Sequence, residues 1–431
     1  MASKVDVDVG RETRRYEVVE EPWPHILVSS RKELHGWWGG KRECTGERLL
    51  VNPYNGCSVG CIFCYARALP AAYFRLFNRT GVVTVFQDFD RVVADQLDSI
   101  DVASCGYLSP VCDPFQAVES AYGLSERIVE QFVERNLPVE FITKCVAPRS
   151  VVTAMRRQPH SFGQFSAITP REDLRRALMT GGAATDELFA SVKTCAAAGL
   201  PVTVRIDPVI PFLTDSRQDL KALVARGVDA GARHVVASVL DVPTKIAKEV
   251  FANLERFGVG FVYDLRRLYS EPIDGYLHAR IDYRKRVFDT LRNLCEARRV
   301  TFALCMEYEI REGRPAGLNA EFMSSANCEG VDVPIYKRRG DKFVPAAECA
   351  GACLRCTEAA CGVADLAMGR GGGKTDFRLA DYRRWSREGT DAGAQRTQGA
   401  QGEGARDTQG ARGQAHKDQA ARQAGAADRR S

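Results

Sequence analysis

Asn52-Pro-Tyr-Asn-Gly-Cys57-Ser-Val-Gly-Cys61-Ile-Phe-Cys64-Tyr65-Ala-Arg67 is the stretch that decides how this chain is read. Three cysteines stand at C-x3-C-x2-C spacing just after a short apolar run, Leu49, Leu50 and Val51. Asn, Pro and Gly keep the segment irregular, so it can wrap until three thiolates face one small object. Soft thiolates favour an iron–sulfur cluster or zinc. No fourth cysteine follows closely, and Cys44 lies outside the loop. A structural zinc takes four protein ligands. Three ligands on a four-iron cube leave one iron open, where substrate chemistry can take place.

Outward from this loop a β–α rhythm runs along the chain. Short apolar runs alternate with longer amphipathic ones, which predicts parallel strands joined by crossover helices. Strands are expected at 49–52, 102–108, 139–143, 164–168, 202–206 and 234–240, and helices at 124–136, 150–157, 185–198 and 217–230. Gly199 and Gly231 stand where helices should stop. Six such units make an α/β fold, a partial (β/α)6 TIM-type barrel, and strand-like runs at 259–264 and 300–305 extend or close the sheet. Chemistry in such a barrel gathers at the C-terminal ends of the strands. Those ends carry Cys112-Asp113, Thr143-Lys144-Cys145, Ser166 and Arg205-Ile-Asp207-Pro208.

The chain divides into a polar arm at 1–43, the barrel at 44–310, a cysteine-rich module at 311–368, and a linker with a low-complexity tail at 369–431. In the arm, Trp23 and Trp37-Trp38 are expected to dock it onto the barrel. In the module, Cys349, Cys353, Cys356 and Cys361 read C-x3-C-x2-C-x4-C, preceded by Cys328. The residues between them are mostly small, so the loop can fold tightly round a metal. Both a structural zinc and a second iron–sulfur cluster suit four thiolates, with Cys328 or Cys361 as the fourth ligand. Gly369–Thr375 lacks the glycine a phosphate loop needs at Met368 and reads as linker. The tail from 387 on has no aromatic residue and no Ile, Leu or Val, and is expected to be disordered.

The 431 residues are 45% hydrophobic, enough for one large domain with additions. Sixty basic against 55 acidic side chains leave a net charge of +5, compatible with a nucleic-acid partner but no argument for one. Residues 1–21 are charged, with no apolar signal segment, and no run of about 18 apolar residues suggests a membrane span. The fifteen cysteines are therefore expected to serve metal binding or catalysis in a reducing cytoplasm rather than a disulfide framework. Cys105, Cys145, Cys195, Cys295 and Cys305 read as buried thiols and Cys44 as a free one.

The C-x3-C-x2-C spacing, with an aromatic before and after the third cysteine, resembles the signature of the radical S-adenosylmethionine (SAM) enzymes. The flanking Asn-Pro-Tyr-x-Gly-Cys and Cys-Tyr-Ala-Arg resemble the spore photoproduct lyase-like, or DNA repair photolyase-like, branch. The resemblance covers roughly residues 48–310. It implies a [4Fe–4S] cluster on Cys57, Cys61 and Cys64, with the amino and carboxylate groups of SAM on the fourth iron. It implies reductive cleavage of SAM to a 5′-deoxyadenosyl radical that abstracts hydrogen from a substrate, with electrons from a donor such as flavodoxin or ferredoxin. Carried over residue by residue, Lys144 and Ser166 match SAM-contacting positions, Asp113 lies in a loop that faces SAM, and Tyr65 belongs to the adenine wall. The family's hydrogen-donor cysteine falls on Pro110 here, with Cys112 two residues away. That departure argues against thymine-dimer repair itself, although two residues along a strand keep the same face. The substrate classes left are a nucleic-acid base or lesion and a peptide or small metabolite. A non-enzymatic iron–sulfur or zinc module is a third reading, which Lys144 and Ser166 speak against.

Overall fold

The computed structural model describes residues 3–37 and 42–385. Seven parallel strands form its central sheet: β1 (Arg48–Val51), β2 (Cys105–Leu108), β3 (Val139–Thr143), β4 (Phe162–Ser166), β5 (Val202–Val209), β6 (His234–Val239) and β7 (Thr301–Leu304). Spatial order follows chain order from β1 to β7. Each neighbouring pair is parallel. Six helices make the crossovers: α1 (Phe89–Asp98), α2 (Leu124–Glu134), α3 (Arg149–Met155), α4 (Thr185–Ala197), α5 (Arg217–Asp229) and α6 (Ile281–Ala297). The expected six units are present, and the run near 300–305 supplies the seventh strand.

The helices form where an apolar stripe meets a start and a stop signal. In α4, Leu188, Phe189, Val192 and Cys195 face the sheet. Burying each large apolar side chain stabilises the fold by about 1.5–3 kcal/mol. Glu187 Oε2 accepts from the Ala184 amide at 2.9 Å at its start. In α5, Ser216 Oγ accepts from the Asp219 amide at 3.1 Å. Both helices end before a left-handed glycine, Gly199 at φ 84° and Gly231 at φ 107°.

Two expectations are corrected. Residues 259–264 are helical, within Val259–Leu268. Val262, Leu265 and Leu268 share its buried face, while Val259 and Tyr263 are exposed. A six-residue apolar run does not distinguish period 2 from period 3.6. The polar arm carries strands: Lys4–Val9 and Glu12–Glu17 form a hairpin, and His25–Val28 pairs with Val83–Phe86. The linker begins later than residue 369, because Phe377, Leu379, Tyr382 and Trp385 are buried in the main core. The Tyr382 and Trp385 rings pack with centroids 4.7 Å apart and planes tilted by 59°, and the Phe377 carbonyl accepts from the Gly36 amide at 2.6 Å. The expected disordered tail falls outside the described residues from 386 on, as does Trp38. The docking role holds for the other two tryptophans. Trp23 Nε1 donates to the Gly81 carbonyl at 3.1 Å, and Trp37 Nε1 to that of Gly46 at 2.8 Å.

A polar chain crosses the barrel interior from strand to strand. Arg48 pairs with Glu329 and donates Nε to Glu140 Oε1 at 2.8 Å. Gln164 Nε2 donates to Glu140 Oε2 at 2.7 Å, and Arg205 Nη1 to Gln164 Oε1 at 3.0 Å. Arg205 Nη2 then donates to Asp207 Oδ2 at 2.6 Å, and Ser238 Oγ to Asp207 Oδ1 at 2.5 Å. Buried ion pairs add little net stability. This one fixes Asp207 at the C-terminal mouth of the sheet. No helix of the described residues is long and apolar enough to cross a membrane.

Candidate functional site

Because all seven strands are parallel, the segments that follow them share one end of the barrel. The cysteine loop leaves β1 there. Gly56 and Gly60 adopt φ 88° and 65°, which lets Cys57, Cys61 and Cys64 follow a tight path. The loop lies along the connection between β4 and α4. The Ile62 amide donates to the Leu178 carbonyl at 3.1 Å, and the Gly181 amide to the Val59 carbonyl at 2.9 Å. A Cβ on Gly181 would meet the Ser58 carbonyl oxygen at 2.3 Å, so only glycine allows this approach. The insertion between β6 and α6 covers the loop from the other side. Arg67 pairs with Glu249 at 3.0 Å, and Asn253 Nδ2 donates to the Ile62 carbonyl at 3.3 Å.

The three thiols are half-buried. Burial pushes all three up, Cys61 to about 12, and the nearby Lys144 pulls Cys61 and Cys64 the other way. A metal centre there would supply the compensating positive charge. Among the described residues, no three His, Cys, Asp or Glu side chains form a group that could hold a single metal ion. Such an ion at about 2.3 Å from each sulfur needs thiolates about 3.8 Å apart. A cube binds each cysteine through a different iron and has no such requirement. Three thiols on one short irregular loop are a donor set that an iron–sulfur cluster takes.

Asp113, at the end of the β2 loop, is 8% exposed. Its backbone amide donates to Cys57 Sγ at 3.4 Å. Its carboxylate accepts from Thr143 Oγ1 at 2.8 Å, the Phe115 amide at 3.0 Å and the Lys144 amide at 2.6 Å. Burial raises its pKa, and these bonds oppose the rise. Asp113 thus ties the cysteine loop to the end of β3 and sets the position of Lys144.

Lys144 and Ser166 line one small recess together with Thr169, Arg175 and Thr185. Two cations and three hydroxyls suit a carboxylate-bearing end of a ligand. The Lys144 ammonium makes no ion pair or hydrogen bond among the described residues. Tyr65 is 41% exposed and donates its hydroxyl to the Pro110 carbonyl at 2.8 Å, bridging the cysteine loop to the β2 loop. Cys112 is buried, and burial holds it at about 12. Lys32, from the arm, lies near Cys112 and donates Nζ to the Asn52 carbonyl at 2.7 Å.

The late cysteines form a separate group. Cys349, Cys353 and Cys361 are near enough to interact electrostatically, and Cys349 Sγ accepts from the Ile335 amide at 3.4 Å. Cys356 Sγ donates to the Glu358 carbonyl at 2.9 Å. Cys328 lies apart from these, beside Thr45, whose Oγ1 is 3.7 Å from its sulfur. The sequence reading missed Gly181 and Lys32, and named Asp207 at a strand end without giving it a role. The Gly181-Gly182 pair before α4 was a visible signal, whereas Lys32 had none.

No family model matches the sequence. The chain is 27% identical over 357 residues to the radical SAM Nα-GlyT isomerase of Pseudomonas phage M6, covering 78% of this chain and 73% of that one. This likeness supports a radical SAM assignment for the chain. An uncharacterized protein of Mycobacterium tuberculosis is 28% identical to the enzyme over 203 residues, 44% of the enzyme and 57% of the relative. Among solved structures, spore photoproduct lyase complexed with dinucleoside spore photoproduct covers 63% of the enzyme at 12% identity and a TM-score of 0.49, with 78% of that chain covered. Streptococcus suis SuiB bound to S-adenosylmethionine covers 60% of the enzyme and 50% of its own chain at 12% identity and a TM-score of 0.39.

Proposed function

We propose that the enzyme binds a [4Fe–4S] cluster at Cys57, Cys61 and Cys64 and uses SAM to abstract a hydrogen atom from a nucleic-acid base or lesion. One observation carries the reading: the three-cysteine loop and the Lys144–Ser166 recess share the C-terminal mouth of one parallel sheet. When bound, the cluster supplies the electron that cleaves SAM to methionine and the 5′-deoxyadenosyl radical. Lys144 and Ser166 hold the SAM carboxylate, Asp113 holds Lys144 in place, and Tyr65 borders the adenine. Asp207 stays ionised because Arg205, Lys144 and Ser238 outweigh its burial, and it accepts from a donor group of the ligand. Cys112, kept as a thiol by burial, returns a hydrogen atom in this reading. The protein orients these parts and excludes water.

A base is favoured by the rim. Tyr65, Val146, Phe212 and Ile310 are exposed, and each follows the C-terminal end of a parallel strand. Exposed aromatic faces such as Tyr65 and Phe212 suit a planar base, which gains about 1–3 kcal/mol by stacking. Cys349, Cys353, Cys356 and Cys361 hold a second metal centre, and a flavodoxin- or ferredoxin-type protein reduces the first. All the cysteines are free thiols, which suits a reducing cytoplasm.

Anaerobically reconstituted protein given a strong reductant should form 5′-deoxyadenosine from SAM, and Cys61→Ala should form none. Undiminished product from that variant would sink the ligand assignment. Fluorescence anisotropy with DNA and RNA across salt concentrations tests the substrate class, because phosphate contacts give a steep salt slope. A flat slope with no binding would favour a peptide or small metabolite.

A further inference from the structure

Two helices of the insertion between β6 and α6, Ala247–Leu254 and Val259–Leu268, rest on the cysteine loop. Asn253 Nδ2 donates to the carbonyl of Ile62, the residue after Cys61, at 3.3 Å. Glu249 pairs at 3.0 Å with Arg67, just beyond Cys64. Val250, Phe251 and Leu254 of the first helix and Val262, Leu265 and Leu268 of the second are buried. The opposite faces are open. On the second helix Val259, Tyr263, Arg266 and Arg267 fall at i, i+4, i+7 and i+8, which is one stripe of an α-helix. All four are exposed, Val259 at 78% and Tyr263 at 61%. The Arg267 guanidinium lies 5.6 Å from the Tyr263 ring centre. Lys248 on the first helix, Lys245 just before it and Arg256 just after it are exposed as well. The helices lie side by side, since Arg266 reaches Glu255 at 3.4 Å and its guanidinium sits 5.4 Å from the Phe251 ring centre.

We propose that this face, with Lys245, Lys248, Arg256, Val259, Tyr263 and Arg267, is the docking surface for an acidic redox protein that delivers the electron to the cluster at Cys57, Cys61 and Cys64. This rests on the radical SAM reading and adds the partner's chemistry and its place on the chain. Charge decides the partner. Glu249 is held by Arg67 and Glu255 by Arg266, whereas Lys245, Lys248, Arg256 and Arg267 form no ion pair among the described residues, which leaves Asp264 as the one open carboxylate of the two helices. The face is therefore positive, and a carboxylate-rich partner is drawn to it and oriented by it. Tyrosine and arginine carry much of the binding energy of protein interfaces. Val259, one turn from Tyr263, adds an apolar contact that a phosphate backbone gains nothing from. Position points the same way. The inner side of the two helices touches the segment that bears Cys61 and Cys64, so a partner docked outside them approaches the cluster without entering the mouth where the substrate lies. The transfer oxidises the donor by one electron and reduces the cluster by one, with no bond made or broken between the two proteins. Redox encounters of this kind use small interfaces, below about 1,200 Å2, which a two-helix face can supply.

The test uses full-length protein, reconstituted anaerobically, with purified flavodoxin as the probe. Labelled flavodoxin should bind, read by fluorescence anisotropy, with an affinity that falls as salt rises. Lys245→Glu, Lys248→Glu and Arg267→Glu combined should weaken that binding about tenfold or more at low salt and flatten the salt dependence. With NADPH and flavodoxin reductase, the flavodoxin KM for 5′-deoxyadenosine formation should rise by the same factor, while turnover driven by dithionite stays at the wild-type rate. Wild-type affinity for flavodoxin in the folded variant overturns the proposal. So does wild-type protein that turns over with dithionite but binds neither flavodoxin nor a ferredoxin. Loss of DNA or RNA affinity with flavodoxin binding intact also overturns it and gives the surface to nucleic acid. If the charge-reversed protein does not fold, Val259→Ser with Tyr263→Ser decides: flavodoxin binding should weaken several-fold, and unchanged binding overturns the proposal. Wild-type protein that forms no 5′-deoxyadenosine with dithionite sinks the radical SAM reading alone, because the binding measurement needs no turnover.

Discussion

Asp113→Asn tests the strut that joins the cysteine loop to Lys144. The wild-type carboxylate accepts three internal hydrogen bonds, two of them from backbone amides, Phe115 and Lys144, that attach to different oxygens. An amide in its place keeps one acceptor oxygen and turns the other position into a donor. Whichever way the amide is flipped, one buried backbone N–H faces an N–H. Leaving a buried donor unpaired costs about 1–3 kcal/mol. Loss of a charge-assisted bond lies within the same range, while the neutral side chain recovers some of the burial penalty that raises the Asp113 pKa. A net loss of about 2 kcal/mol is expected, read as a lower urea midpoint at unchanged slope. SAM affinity should fall as well, because Lys144 loses its anchor. Asp113→Ala should be at least as damaging. If both variants unfold at the wild-type midpoint and bind SAM normally, the carboxylate is not the strut, and the hydrogen-bond geometry has been misread as function.

Gly181→Ala should displace the cysteine loop, since the new Cβ meets backbone rather than a flexible side chain at 2.3 Å. Overpacking of this kind typically costs about 1–3 kcal/mol, and the variant should retain less iron after gel filtration; wild-type retention would refute the contact. Lys144→Ala should weaken SAM binding roughly ten- to a hundredfold, from about 1.5–3 kcal/mol for a charge-assisted bond, while the visible absorbance of the cluster stays; unchanged affinity would return Lys144 to the surface. His160 gives a pH dependence. Burial lowers its pKa below the ordinary 6.5, and its Nδ1 meets the Tyr336 hydroxyl at 2.6 Å. A histidine kept neutral in the fold contributes stability that is present above the unfolded value and lost as pH falls from 6.5 toward the folded value. His160→Gln should flatten the decline of the urea midpoint between pH 7 and pH 5, and an identical slope in both proteins would exclude the residue.

The sequence by itself determined the parallel α/β order, most strand positions and the first cysteine loop. These are local features: apolar runs of period 2, stripes of period 3.6, stop glycines at 199 and 231, and three thiols within eight residues. Placing Lys144 and Ser166 at strand ends also followed from periodicity, together with the resemblance. Residues 259–264 went wrong because a short apolar run carries too few periods to choose between helix and strand. What only the tertiary structure decided depends on pairs far apart in the chain. Cys328 lies beside Thr45 rather than with the late cysteines, and no spacing rule links residues 283 apart. Asp113 looked like a ligand contact, but its three partners show a strut. Phe377, Tyr382 and Trp385 belong to the core although they follow a glycine-rich segment. Loop closure over such distances adds only slowly to the entropy cost, so distant cysteines and aromatics are free to meet wherever burial and hydrogen bonding favour it. Chain order records none of those meetings.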